Sequence, residues 1–266
     1  MENDNVTTAR VIISCDASPL GAMAIDAAVA LARELDAELT GIFVEDINLF
    51  RTAALPFTHE VAWSSALTTR LQADELQRAL ERQAQAVRDV LARAASALRR
   101  QWSFQVVRGV PLGSVIDAMQ GLDVAVFGHA GKFSASLSAS LSAMGPAPGA
   151  ARRAVMVVFD GTPAAQRALD AAMALAHDMH GKLVIAVTDA AGGPPGLRAQ
   201  LQQRLKTHHA HALFLTLKRR DAAAVSHAAE TYAPSVLLWG GMAGDADRAT
   251  VATLVDALRC PVILVA

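Results

Sequence analysis

The stretch "VIISCDASPLGAMAIDAAVALARELDAEL", residues 11–39, has a second copy 144 positions further along the chain, "VMVVFDGTPAAQRALDAAMALAHDMHGKL", residues 155–183. Eleven of the 29 aligned positions are identical without a gap. The paired aspartates and prolines do not depend on alanine richness: they are Asp16 with Asp160, Pro19 with Pro163, and Asp26 with Asp170. The chain therefore contains an internal duplication.

Each copy predicts alternating strands and helices. Short apolar runs predict strands at 11–15, 39–44, 104–107 and 124–127 in the first copy and at 155–159, 183–187, 213–217, 236–239 and 262–265 in the second. Spacings of three and four predict helices at 19–35 and at about 73–100; a third helix is expected to be capped at Ser114, with Asp117 three residues on. Strands separated by helix-length segments predict an α/β fold with doubly wound parallel sheets.

The domain boundaries predicted from this pattern are 1–150 and 151–266, with "MGPAPGAARR", residues 144–153, as the linker. The first copy has four clear strands, because the next apolar run already belongs to the second copy. It is therefore expected to lack a fifth strand of its own. An uncovered sheet edge is a liability, so the second copy, another chain or the serine-rich segment is expected to cover it.

Composition excludes several classes of function. The formal net charge of −1 gives no field that would recruit nucleic acid or an anionic membrane. The polar, acidic start is unlike a signal peptide, and no apolar run approaches the length of a membrane span. Cys15 and Cys260 stand in apolar runs, which indicates buried thiols in a reducing cytoplasm. The dibasic pairs, Arg219-Arg220 among them, are interpreted as solvated ends of elements.

Five segments in order resemble the universal stress protein family, and the match covers most of the chain. They are "IISCDAS" (12–18), "FVEDINLFRTAALPFTHEVAW" (43–63) with the long helix after it, "VVRGVPLGSVIDAM" (106–119), "LDVAVFGHAG" (122–131) and "LRCPVILVA" (258–266). The resemblance implies two tandem domains of the adenine nucleotide α hydrolase-like type that pack as an intramolecular pseudo-dimer. It also implies a role in stress adaptation.

Members of this family that bind ATP carry the pattern G-x2-G-x9-G-[ST] after the fourth strand. Glycines let the backbone approach phosphate oxygens at a helix N-terminus. In the first copy Gly128 and Gly131 match, but Leu141 stands at the third glycine, before Ser142. In the second copy Gly241 and Gly244 match, whereas Leu254 and Val255 replace the glycine and serine, and Asp245 and Asp247 repel phosphate.

Both loops are thus interpreted as degenerate, with no cofactor expected. The alternative keeps ATP in the first domain, where Asp16 and Val44 would meet the adenine and Gly128, Gly131, Lys132 and Ser142 would surround the phosphates. His129 is interpreted as a turn residue at a strand end. The aspartates Asp16 and Asp160, which match between the two copies, have a plainer interpretation too, since each could cap the following helix.

Three functions are compatible with these sequence features. The preferred one is a non-enzymatic stress-adaptation protein that acts through contacts with an unidentified protein partner, with a homodimer possible. The second is an ATP-responsive switch. The third is an enzyme, for which the sequence offers no metal set, base or nucleophile. The apolar segment 47–69 is expected to pack across the partner copy or a second chain, or else to cover the protein's own core.

Overall fold

The computed structural model describes residues 9–53, 59–61, 68–70, 73–119, 123–129, 154–188, 197–207, 210–242 and 244–266. Its strands are β1 (Arg10–Cys15), β2 (Glu38–Asp46), β3 (His59–Val61), β4 (Thr68–Arg70), β5 (Trp102–Gly109), β6 (Val124–Gly128), β7 (Ala154–Phe159), β8 (Lys182–Thr188), β9 (Ala212–Leu217), β10 (Val236–Gly240) and β11 (Val262–Val265). Its helices are α1 (Pro19–Glu34), α2 (Ile47–Ala53), α3 (Ala73–Ala95), α4 (Pro111–Ala118), α5 (Pro163–Asp178), α6 (Leu197–Thr207), α7 (Ala222–Tyr232) and α8 (Asp245–Ala257).

Nine strands form one sheet in the order β5-β2-β1-β6-β11-β10-β7-β8-β9, and β3 pairs with β4 as a separate antiparallel ribbon. The first half of the sheet is β5-β2-β1-β6 and the second is β9-β8-β7-β10-β11. Neighbours within each half are parallel. The register repeats the duplication, because Ile12 lies opposite Thr40 and Met156, 144 positions later, lies opposite Val184. This confirms the predicted fold class.

The two halves join through an antiparallel pair, β6 with β11. Val262 lies opposite Phe127 and Val265 opposite Val124. Since β6 also pairs with β1, both of its edges are occupied. The first half therefore has four strands among the described residues, and the last strand of the second half covers the edge that its own fifth strand would have taken. The boundary at 150/151 stays a prediction, because residues 130–153 lie outside the described part.

Helices cover both faces of the sheet. The cluster on one face includes Leu31, Leu91, Leu169 and Leu201, from α1, α3, α5 and α6. The cluster on the other face joins side chains of α4, α7 and α8 to the strands. Each cluster contains residues of both halves, so the two halves share their hydrophobic layers. Helices α1 and α5 also pack against each other, and Arg33 of α1 forms an exposed ion pair with Asp178 of α5.

Helix starts follow the local chemistry, with one correction. Helices α1 and α5 begin with proline directly after their N-caps, Ser18 and Thr162. The prediction that the third helix is capped at Ser114 is wrong, because α4 begins at Pro111 with Val110 as its N-cap. Proline has its backbone angle preset for the first helical position, so the helix starts three residues before the serine.

Candidate functional site

Three of the predicted site residues lie together at the carboxyl ends of β1, β2 and β6. Cys15 pairs with Gly128 across β1 and β6, and the Asp16 amide donates to the Gly128 carbonyl at 3.3 Å. Val44 lies near the end of β2, the neighbour of β1 on its other side. In open α/β sheets, ligands bind where the strand order reverses. Asp16 and Gly128 flank that point in the first half.

The aspartate at the end of the first strand holds the N-cap of the next helix. The Asp16 carboxylate accepts from the Ser18 amide at 3.2 Å and from the Ser18 hydroxyl, and that hydroxyl accepts from the Gly21 amide at 3.1 Å. In the second half, Asp160 accepts from the Thr162 amide and hydroxyl at 3.0 and 2.7 Å. The plainer interpretation, in which Asp16 and Asp160 cap the helices, is therefore wrong in its detail. Each aspartate orients the side chain that forms the cap.

The glycine at the end of the fourth strand is needed for helix packing. A Cβ at Gly128 would lie 2.2 Å from Ala24 Cβ and 2.9 Å from the Leu20 carbonyl oxygen of α1. At Gly240 it would lie 2.5 Å from the backbone of Ala165 in α5. Gly240 and Gly128 both close the fourth strand of their half. Gly240, and not Gly241, is therefore the structural counterpart of Gly128.

The side chain of Val44 belongs to the core, since it is 8% exposed and packs in the α4 layer. The next residue, Glu45, is also buried and is held by the Arg108 guanidinium at 2.8 and 3.1 Å. Gln77 of α3 donates to Glu45 at 3.4 Å and accepts from Arg108 at 3.0 Å. Arg108 also lies 4.0 Å above the Phe50 ring. This network fixes the carboxyl end of β2. Because the Val44 side chain is buried, Val44 could meet a ligand only through its backbone.

A buried serine and a histidine meet beside Asp16, a contact that no sequence pattern predicted. Ser14 is fully buried, and its Oγ lies 2.9 Å from Nε2 of the partly buried His129. Burial lowers the pKa of the His129 imidazole, while the charges of Asp16 and Asp256 act in the opposite direction. Asp256 lies on α8 of the second half. His129 is therefore more than a turn residue, because it satisfies a buried hydroxyl where the two halves meet.

In the second half, an arginine side chain lies in the corresponding cleft. Arg220 contacts Asp160 at 3.3 Å and Asp247 at 2.9 Å, and it donates to the Gly240 carbonyl at 2.6 Å. Its guanidinium lies 4.0 Å from the centroid of the fully buried Trp239 ring. The interpretation of Arg219-Arg220 as a solvated boundary is correct for Arg219 only, whose side chain is 80% exposed against 20% for Arg220.

The segment that would form the second phosphate loop is helical. Helix α8 begins at Asp245, directly after Gly244, and runs without a break past the place of the expected third glycine. Leu254 at that place is fully buried in the core. The corresponding residues of the first half, Gly131, Lys132, Leu141 and Ser142, lie outside the described residues, and the predictions for them stay predictions.

The predicted contact segment is described in part. Helix α2 packs against α3 and β2 of its own half, and Leu49 and Phe50 join the core there. For α2 this is the second of the two alternatives given above. Within the described ranges, no three His, Cys, Asp or Glu side chains are grouped so that they could hold a metal ion. No helix in those ranges is long and apolar enough to cross a membrane.

Comparison with known proteins adds to this picture at the level of the fold. Over 96% of its length, the chain is similar to 95% of the crystal structure of a universal stress protein from Archaeoglobus fulgidus DSM 4304, with a TM-score of 0.53 and 12% identity. A structure from the universal stress protein family of Burkholderia pseudomallei matches 44% of this chain over 98% of its own, at 24% identity and a TM-score of 0.33. No protein-family model and no curated protein matches the chain.

The class of fold is thus a doubly wound α/β sheet with helices on both faces. Within that class, the chain has the universal stress protein fold. The likeness to the first structure extends over both halves. At 12% identity it establishes the fold alone, and function has to be argued from the site.

Proposed function

We propose that the chain is a non-enzymatic stress-adaptation protein of the universal stress protein family, with two tandem domains that form an intramolecular pseudo-dimer. It acts through contacts with a protein partner, and its nucleotide loops are degenerate. The observation that supports this most is the continuous helix α8, which begins immediately after Gly244 and buries Leu254 in the core. A phosphate loop needs free backbone amides at the place of the third glycine, and a helix interior has none to offer there. The first turn of α8 has free amides, but it carries Asp245 and Asp247, which repel phosphate.

The first half supports the same proposal through the packing of its glycine. Gly128 is required by α1 whether or not phosphate is bound, so its presence is no argument for a ligand.

The buried thiols of Cys15 and Cys260 suit a reducing cytoplasm, where we place the protein. Since α2 packs on its own half, we place the partner at the rest of the predicted segment, residues 54–69, and a second copy of the chain is one such partner.

The alternative function is an ATP-binding switch in the first half. It is favoured by the position of Asp16, Val44 and Gly128 around the point where the strand order reverses. The two functions differ in one direct measurement. Freshly purified protein is denatured, and the supernatant is assayed for adenine nucleotide by mass spectrometry, with calorimetric titration of MgATP on the native protein beside it.

Absence of nucleotide and of binding heat supports the proposed function. Stoichiometric nucleotide, or micromolar binding that is lost on Asp16→Ala, would establish the switch instead. The matched control is Asp160→Ala, which removes the same contact with an N-cap hydroxyl in the second half. Binding lost in both variants would indicate a general loss of structure, so each variant is also checked for its thermal midpoint. ADP release during the titration would establish an enzyme.

A further inference from the structure

We propose that Arg220 is a built-in occupant of the cleft of the second half. Its guanidinium group fills the place at which an external ligand would reach Asp160, so that this half is closed by the protein's own side chain. This rests on the proposed function in one respect only, namely that the ligand cleft of the fold lies at the end of the first strand of each half.

The contacts of Arg220 are those of a bound ligand. A guanidinium has donors in a planar fork and a face that stacks on aromatic rings. Here the two terminal nitrogens donate to the Asp247 carboxylate and the Gly240 carbonyl, and the face stacks on Trp239. The buried Nε lies 3.3 Å from the Asp160 carboxylate as an ion pair without a hydrogen bond. These groups come from three places in the fold: the end of β7, the end of β10 and the first turn of α8.

The first half shows what the cleft is like without this side chain. Val44 lies opposite Val107, and its counterpart Thr188 lies opposite Leu217. Positions 107 and 217 therefore correspond, and counting on from this pair places Val110 at the position of Arg220. Counting back from the N-caps, Val110 and Asp221, places Gly109 there instead; neither residue has a charged side chain. Val110 is 54% exposed and has no charge to offer. Among the described residues, the duplicated halves thus differ at this position, where only the second half has a cation.

The charge balance explains why the occupant is a cation. Two carboxylates face the same point, each 17% exposed on its side chain. A cation between them relieves their mutual repulsion. An anionic ligand such as a nucleotide phosphate would be repelled by both carboxylates. Once the Arg220 side chain is truncated, the cleft should therefore accept a small guanidinium compound rather than ATP.

Chemical rescue tests this directly. Arg220→Ala removes the occupant, Arg220→Met fills the space without charge, and Arg219→Ala is the matched control on the exposed neighbour. Removing one partner of a partly buried ion pair should lower the melting temperature of Arg220→Ala by about 5–10 °C. Millimolar methylguanidinium should restore most of that loss in Arg220→Ala and have no such effect on the wild type, Arg220→Met or Arg219→Ala. Sodium chloride at equal ionic strength is the salt control.

The proposal is overturned if Arg220→Ala melts with the wild type, or if methylguanidinium shifts every variant equally. If Arg220→Ala does not fold alone, it is refolded with and without methylguanidinium; folding that needs the compound supports the proposal, and failure in both conditions overturns it. Nucleotide found on the wild-type protein would refute the proposed function and leave the rescue result unaffected.

Discussion

Replacement of Gly128 by alanine tests whether this glycine serves packing or a ligand. The added Cβ would lie 2.2 Å from Ala24 Cβ and 2.9 Å from the Leu20 carbonyl oxygen, so α1 has to move away from β6. Overpacking costs about 1–3 kcal/mol, and we expect the upper end because one of the two obstacles is backbone. For a chain of this size, a loss of about 3 kcal/mol lowers the melting temperature by about 6–12 °C.

Urea denaturation followed by circular dichroism measures the free energy of unfolding of this variant and of two others. Gly113→Ala is the matched control, because Gly113 lies within α4 and the nearest atom to its added Cβ is 4.0 Å away. This control should gain about 0.5–1 kcal/mol from helix propensity. Ala24→Gly in combination with Gly128→Ala removes the closest contact and should recover about 1–2 kcal/mol beyond additivity.

The same comparison separates the two halves. At Gly240 the added Cβ meets backbone atoms of Ala164 and Ala165, which no side-chain substitution can remove. Gly240→Ala should therefore be at least as destabilising as Gly128→Ala and should have no compensating partner. A Gly128→Ala variant with wild-type stability and altered ATP binding would refute the packing argument, because the glycine would then serve the approach of a ligand.

Three further predictions concern charge, the joint and the thiols. Burial lowers the pKa of His129, so its contribution to stability is complete above about pH 6.5 and is lost as the pH falls from there through the folded-state pKa. His129→Gln should reduce this loss below about pH 6.5 in urea titrations, whereas substitution of the exposed His227 by Gln should leave it unchanged. Ile263→Ala, in the middle of β11, should cost about 2–5 kcal/mol and lower one cooperative transition of both halves, and two separate transitions would contradict this. Burial raises the pKa of the Cys15 thiol, and Cys15 and Cys260 are both buried, so a thiol reagent should label them only on unfolding; rapid native labelling would count against the assigned burial.

Local patterns predicted the elements because the cause of each element is local. A run such as 155–159 is apolar throughout since a parallel strand is covered on both faces, and its prediction was correct to within one residue. The two halves share one register because their sequences are copies of each other. The difference at α4 is also local: a serine at position 114 fits a capping pattern, but the preset backbone angle of Pro111 starts the helix three residues earlier.

The site contacts could not be predicted in this way, because they join residues far apart in the chain. Ser14 and His129 are separated by 115 positions, and neither has a periodicity that points to the other. Arg220 belongs to a dibasic pair in a turn, a pattern that indicates solvent for most such residues. Its burial depends on Asp160 and Asp247, which only the completed sheet brings together.

The duplication makes each half a control for the other, and this directs the search for function. Features present in both halves, such as the glycine that closes the fourth strand and the aspartate that holds the N-cap, are explained by packing. Features that differ, such as Arg220 and the Ser14–His129 pair, belong to one half and need an explanation of their own. Ser14 and His129 correspond to Val158 and Gly241 in the second half, where both members of the pair are replaced together. Since either member alone would leave a buried polar group without its partner, the two change together, and the pair marks the cleft beside Asp16 as the place where the two halves differ in chemistry.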